Sequence, residues 1–139
     1  MIQRIQTLWL TLAGLAALLT LKFAFYFGNK LDPKQGKIAT DFTGVNNFIL
    51  LILIVAVAVT CIIAIFLFKD RKLQLRLAMA ALLISIINLV IYYNEIKKFD
   101  EGSLALTSVF SFIIPILIIM AIRGIYKDQK LIKSADRLR

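Results

Sequence analysis

Four blocks of apolar residues make up most of the chain, separated by short polar stretches. They run about Ile5 to Phe27, Asn47 to Phe68, Leu75 to Tyr93 and Leu104 to Ile122. Within each block the apolar residues go all the way round rather than forming one stripe, which is the pattern of a segment surrounded by lipid. At 1.5 Å per residue each block reaches across roughly 30 Å of hydrocarbon. Backbone groups in lipid must bond within their own segment, so blocks of this length predict helices; a membrane barrel would show short alternating segments instead. The expected fold class is all-α: four transmembrane helices in an antiparallel up-down bundle, followed by a basic helical tail over 123–139. No polar stretch is long enough to fold alone, so 1–139 reads as one membrane domain. The longest stretch, 28–46, holds Gly28, Pro33, Gly36 and Gly44 and reads as a turn-rich loop.

Details inside the first block sharpen this reading. Lys22 lies near its end, where a long side chain can reach the headgroups. The block closes on Phe23, Phe25, Tyr26 and Phe27. Those rings resemble an interfacial aromatic belt, and no small-residue cleavage site follows, so a retained span is expected rather than a cleaved signal peptide.

The few small and polar residues within the blocks suggest how the helices meet, because association in lipid depends on close approach and on interhelical hydrogen bonds. Ala78, Ala81, Ser85, Asn88 and Tyr92 recur at spacings of three and four and so share one face. Thr7, Thr11, Gly14 and Ala17 do the same in the first block, Ala56, Thr60 and Ala64 in the second, and Leu104, Ser108, Ser111 and Pro115 in the fourth. Asn88, roughly 6 Å from the third block's midpoint, is the most polar side chain at depth. It is expected to face the bundle interior and to bond across to Ser108 and Ser111, which reach a similar depth. Pro115 cannot donate to the carbonyl of Ser111, which predicts a kink or a borrowed partner there.

Composition changes the picture mainly by exclusion. Of 139 residues, 60% are hydrophobic; there is no His and one Cys, so neither a Cys/His zinc site nor an intrachain disulfide can form. Cys61 is mid-block with no His to activate it and reads as a small packing residue. Asp100 and Glu101 follow Lys97 and Lys98 in a short loop, a mixed-charge solvated turn. No glycine-rich phosphate loop occurs, and no ionisable group lies near the centre of a block. Neither an enzyme nor a cofactor is expected.

The net charge of +9 would point to nucleic acid in a soluble protein. Here its distribution points to topology instead. Arg4, Lys69, Arg71, Lys72, Arg76, Arg123, Lys127, Lys130, Lys133, Arg137 and Arg139 (11 residues) fall on the side of the two ends and the middle loop. Lys22, Lys30, Lys34, Lys37, Lys97 and Lys98 (6 residues) fall on the other. The richer side is expected inside, with both termini cytoplasmic. In the tail, Arg123, Lys127, Lys130, Lys133 and Arg137 fall within about 120° of one helix face. Arg123, Lys127, Lys130 and Lys133 are the expected contacts to the anionic inner leaflet, with docking on a protein as the competing use of the same helix.

Three stretches carry a resemblance: the opening Met1 to Thr7 (MIQRIQT), the middle loop Lys69 to Arg76 (KDRKLQLR), and the ending from Lys127 through Ser134 to Arg139 (SADRLR). Together they resemble a family of small four-helix membrane proteins of Bacteroidota, DUF4293. The resemblance spans the whole chain and takes its specificity from the ends; it implies no activity. Carried over, it implies a shared cytoplasmic surface of Gln3, Arg4, Gln6, Arg71, Gln74, Arg76, Ser134, Asp136, Arg137 and Arg139. Attraction to lipid needs charge but not Gln, Ser and Asp at set places. Directional bonding to a protein, or among the three stretches, does need them.

The sequence-based expectation is a non-enzymatic accessory or scaffold protein of the bacterial inner membrane whose cytoplasmic face docks a protein partner or braces a larger complex. The alternative is a small transporter or channel component working as an oligomer, since four helices enclose little space. Asn88, Ser85, Ser108 and Ser111 would then supply its polar path.

Overall fold

A computed structural model describes residues 2–139, with side chains from residue 5 onward. Helix α1 spans Ile2–Lys22, strand β1 Ala24–Asp32, strand β2 Gly36–Thr43, helix α2 Phe48–Phe66 and helix α3 Arg71–Ile96. Strand β3 follows at Glu101–Leu104, then a single 3-10 turn at Leu106–Ser108, and helix α4 at Val109–Arg137. All four helices are long and apolar enough to cross a membrane, which is compatible with a multi-pass membrane protein.

The expectation of an all-α fold is overturned. Three antiparallel strands form a sheet in the order β2-β1-β3, built from the loops at one end of the bundle. The first apolar block therefore ends as a helix at Lys22, not at Phe27, and the loop 28–46 is mostly hairpin. The fourth block likewise begins in extended chain, with Leu104 in β3. The physical reason lies in pairing between distant segments. Tyr26 sits opposite Leu104 and Gly28 opposite Gly102, while Tyr26 to Asp32 run against Phe42 to Gly36. Backbone groups of 24–32 thus find strand partners without remaining helical, on both sides over 26–29. The hairpin turns through Pro33, and Gly36 takes a φ of +80° that an L side chain rarely adopts.

An irregularity in register between Ala24 and Tyr26 lets two consecutive residues, Phe25 and Tyr26, both turn inward, where a regular strand would alternate them. Phe25 stacks on Tyr92 of α3 with ring centroids 4.0 Å apart, and Phe42 meets the same ring edge-on at 5.9 Å. Tyr26 packs against Phe99 at 5.3 Å. Of the rings expected to form a lipid-interface belt, Phe25 and Tyr26 are instead packed inward between sheet and helices, while Phe23 and Phe27 stay exposed.

The helices pack as a ring in which α1 and α3 each touch both α2 and α4. Small residues fill the centre: Ala13 and Ala17 of α1, Ala58 and Cys61 of α2, Ala78 and Ala81 of α3, and Ala121 of α4 are all within 2% of complete burial. Large apolar side chains point outward on every helix, among them Leu15, Ile52, Leu83 and Ile116. A water-soluble bundle has the opposite distribution, so the exposed aliphatic surface matches lipid as solvent. The expected face of α3 is buried as a set, from Ala78 through Tyr92. In α1 Gly14 and Ala17 of the expected face are buried, but Thr11 is exposed and returns its hydroxyl proton to Leu8 O. Helix α4 runs without interruption through Pro115 and on to Arg137.

Candidate functional site

The end of the bundle opposite the sheet gathers the start of α1, the turn between α2 and α3, and the second half of α4. Gln6 is 5% exposed, Gln74 3% and Asp128 4%, although all three are strongly polar. Asp128 accepts a hydrogen bond from the Gln6 side-chain amide and an ion pair from Arg71 Nη1 at 3.4 Å. Gln74 Nε2 donates to the carbonyl of Ala64, 2.9 Å away on α2. Helices α1, α3 and α4 thus meet in one polar knot at Asp128, with the Gln74 bond tying α3 to α2 beside it. Charge and amide groups buried this deeply are costly unless paired; here Gln6 and Arg71 are paired with Asp128, and Gln74 with a backbone carbonyl.

The approach is possible because position 124 has no side chain. A Cβ there would lie 2.8 Å from Gln6 Cγ, closer than packed carbons tolerate. Gly124 therefore lets α1 press against α4 so that Gln6 can reach Asp128 one turn further along. The turn itself is tight, with Asp70 N bonding Leu67 O at 3.1 Å and Gln74 N bonding Asp70 O at 2.9 Å. It sets Arg71 and Gln74 on the inward side of α3's first turn.

Of the residues expected on a shared surface, Gln6, Arg71 and Gln74 are engaged inside the bundle. Arg76, Ser134, Asp136, Arg137 and Arg139 are exposed, and Ser134 Oγ returns its proton to Leu131 O at 2.7 Å. Gln3 and Arg4 lie outside the described side chains. The four basic residues expected at lipid, Arg123, Lys127, Lys130 and Lys133, are all exposed along α4. From Lys130 on, every residue of the helix is exposed, including the apolar Leu131 and Ile132. Between this projecting stem and the start of α3 lies an open groove of about 440 Å³ whose walls include Arg71, Lys72, Gln129, Ile132 and Lys133.

Sequence reasoning missed Asp128 as a member of the knot. Its signal was a lone carboxylate on the otherwise apolar side of the tail helix. The expected interhelical trio is buried, with Asn88 at 7%, Ser108 at 5% and Ser111 at 6%. Asn88 Oδ1, however, makes no hydrogen bond among the described residues, so this oxygen accepts none from Ser108 or Ser111. Among the described residues no three His, Cys, Asp or Glu side chains come together as a metal-binding group.

The chain belongs to the family described as a domain of unknown function (DUF4293), whose model matches residues 2–138. No curated protein and no solved structure matches it.

Proposed function

We propose that this DUF4293 protein is a non-enzymatic accessory or scaffold protein of the bacterial inner membrane, with the knot end in the cytoplasm. The orientation rests on the excess of Lys and Arg at the two termini and the α2–α3 turn. The observation that carries the docking role is the stem of α4 from Lys130 on. It continues the helix as a fully exposed rod that combines Leu131, Ile132 and Leu138 with Lys130, Lys133 and Arg137. A rod rooted in a paired, buried knot is held at a defined angle, which favours recognition by an acidic or groove-bearing protein. Arg123 and Lys127, nearer the bundle, are placed to meet anionic headgroups at the same surface.

Mild-detergent crosslinking with photoreactive groups at Ile132 and Arg137 tests the role. A defined cytoplasmic protein should be captured by the full chain and lost when 133–139 is removed. Labelling only of phospholipid, or unchanged capture after truncation, would refute partner docking. Orientation is tested separately: a cysteine at Asn29 should react with an impermeant reagent in whole spheroplasts, before the cytoplasm is opened.

A further inference from the structure

Within the bundle, towards the sheet end, lies a cavity of about 10 Å³ to which all four helices contribute. Its polar lining consists of Thr20, Ser85, Asn88, Tyr92 and Ser111, in walls otherwise made of residues such as Val57 and Ile114. Two of the polar atoms, Asn88 Oδ1 and Tyr92 Oη, are completely buried and have no hydrogen-bond partner among the described residues. Asn88 is 7% exposed and Tyr92 1%. They stand one helical turn apart on the same face of α3. Ser111 of α4 lines the same cavity.

The donors and acceptors around the cavity define what can fill it. Asn88 Oδ1 can only accept. Thr20 Oγ1 gives its proton to Ala17 O at 2.6 Å, and Ser85 Oγ gives its proton to Leu82 O at 2.7 Å. Both hydroxyls are therefore left with lone pairs for any further partner. The lining is rich in acceptors, so a guest must bring protons; an anion would meet lone pairs, and an apolar guest would leave both orphans unpaired. Among the described residues no carboxylate lines the cavity to balance a cation. The volume is about that needed to hold a single water, and a buried water ordinarily makes two to four hydrogen bonds to such groups.

We propose that this cavity is a binding site for one ordered water molecule. The water donates to Asn88 Oδ1 and to a hydroxyl lone pair of Ser85 or Thr20, and accepts the Tyr92 hydroxyl proton. It supplies the link between α3 and the other helices that Asn88 Oδ1 does not make directly. The site is independent of which protein docks at the opposite end.

The test is water-to-protein magnetisation transfer by NMR on the full chain in nanodiscs, read at the Asn88 side-chain amide. Wild type should show a cross-peak of the sign that marks direct contact with a long-lived water. Ala17→Val, which grows into the cavity, should abolish that cross-peak while the helical signals persist. Ser85→Val, which removes one acceptor without lengthening the side chain, serves as the second variant should the first not fold, and should weaken or abolish it. Absence of the cross-peak in wild type would overturn the proposal. A shift of the Asn88 amide or of the melting temperature on replacing choline by sodium at constant ionic strength would overturn it in favour of a cation site.

Discussion

The two ends of the bundle are closed by different physics. At the knot end a few directional bonds converge on one buried carboxylate, Asp128, from Gln6 and Arg71. At the sheet end the joining is spread over strand pairing and ring contacts, with Phe25, Phe42 and Tyr92 at its centre. The only ion pair of the sheet found among the described residues, Lys37 with Glu101 at 3.2 Å, is largely exposed. A concentrated closure should fail at a single substitution, because each partner left behind is a buried polar group. A distributed closure should tolerate side-chain loss and fail only where backbones touch.

The largest effect is therefore expected from Asp128→Ala. It strands the Arg71 guanidinium and the Gln6 amide, and should lower unfolding stability in detergent by about 3 kcal/mol. Asp128→Asn should cost less, since it keeps an acceptor for Gln6. A result for Asp128→Ala within experimental error of wild type would show that the knot closes nothing.

Next comes the backbone contact of the sheet. A Cβ at residue 102 would lie 2.4 Å from the carbonyl oxygen of Phe27 and 2.6 Å from Gly28 Cα. Neither atom can swing away. Gly102→Val should cost about 2 kcal/mol, seen as faster amide hydrogen exchange at Ser103 and Leu104, with exchange at Gln74 unchanged. Equal acceleration at both ends would mean that the two closures are not independent.

Gly124→Ala should have a smaller effect, about 1 kcal/mol, because its Cβ meets Gln6 Cγ, part of a flexible side chain. That cost should largely vanish in a Gln6→Ala background, measured as a double-mutant cycle. Lys37→Ala should be the mildest change, below about 0.5 kcal/mol, since the pair it breaks is screened by solvent. Denaturant melts at low and high salt would check it.

Much of the architecture was legible from local pattern. The four apolar blocks became four helices, and spacing of three and four identified the buried face of α3 from Ala78 to Tyr92. The strands were not legible. Phe23 to Phe27 prolong an apolar run, and nothing near them in sequence marks Leu104 and Gly102 as partners for Tyr26 and Gly28. The candidate site was half legible. Gln6, Arg71 and Gln74 stood out through the family resemblance, with docking on a protein and bonding among the three stretches both left open. Their inward direction depends on Asp128, far away in the chain, and on Gly124 allowing α1 and α4 to close together.

Sequence alone determined that this protein has four helices long and apolar enough to cross a membrane, and that its cationic residues crowd the end holding both termini and the middle turn. Hydrophobicity and charge accumulate residue by residue and need no partner to be read. Only the tertiary structure decided that Phe25, Tyr26 and Phe27 leave the helix for a strand, and that Gln6, Arg71 and Gln74 turn inward while the stem from Lys130 on stays exposed. A backbone pairs and a polar side chain turns inward according to the partner it meets, and here those partners lie at the other end of the chain.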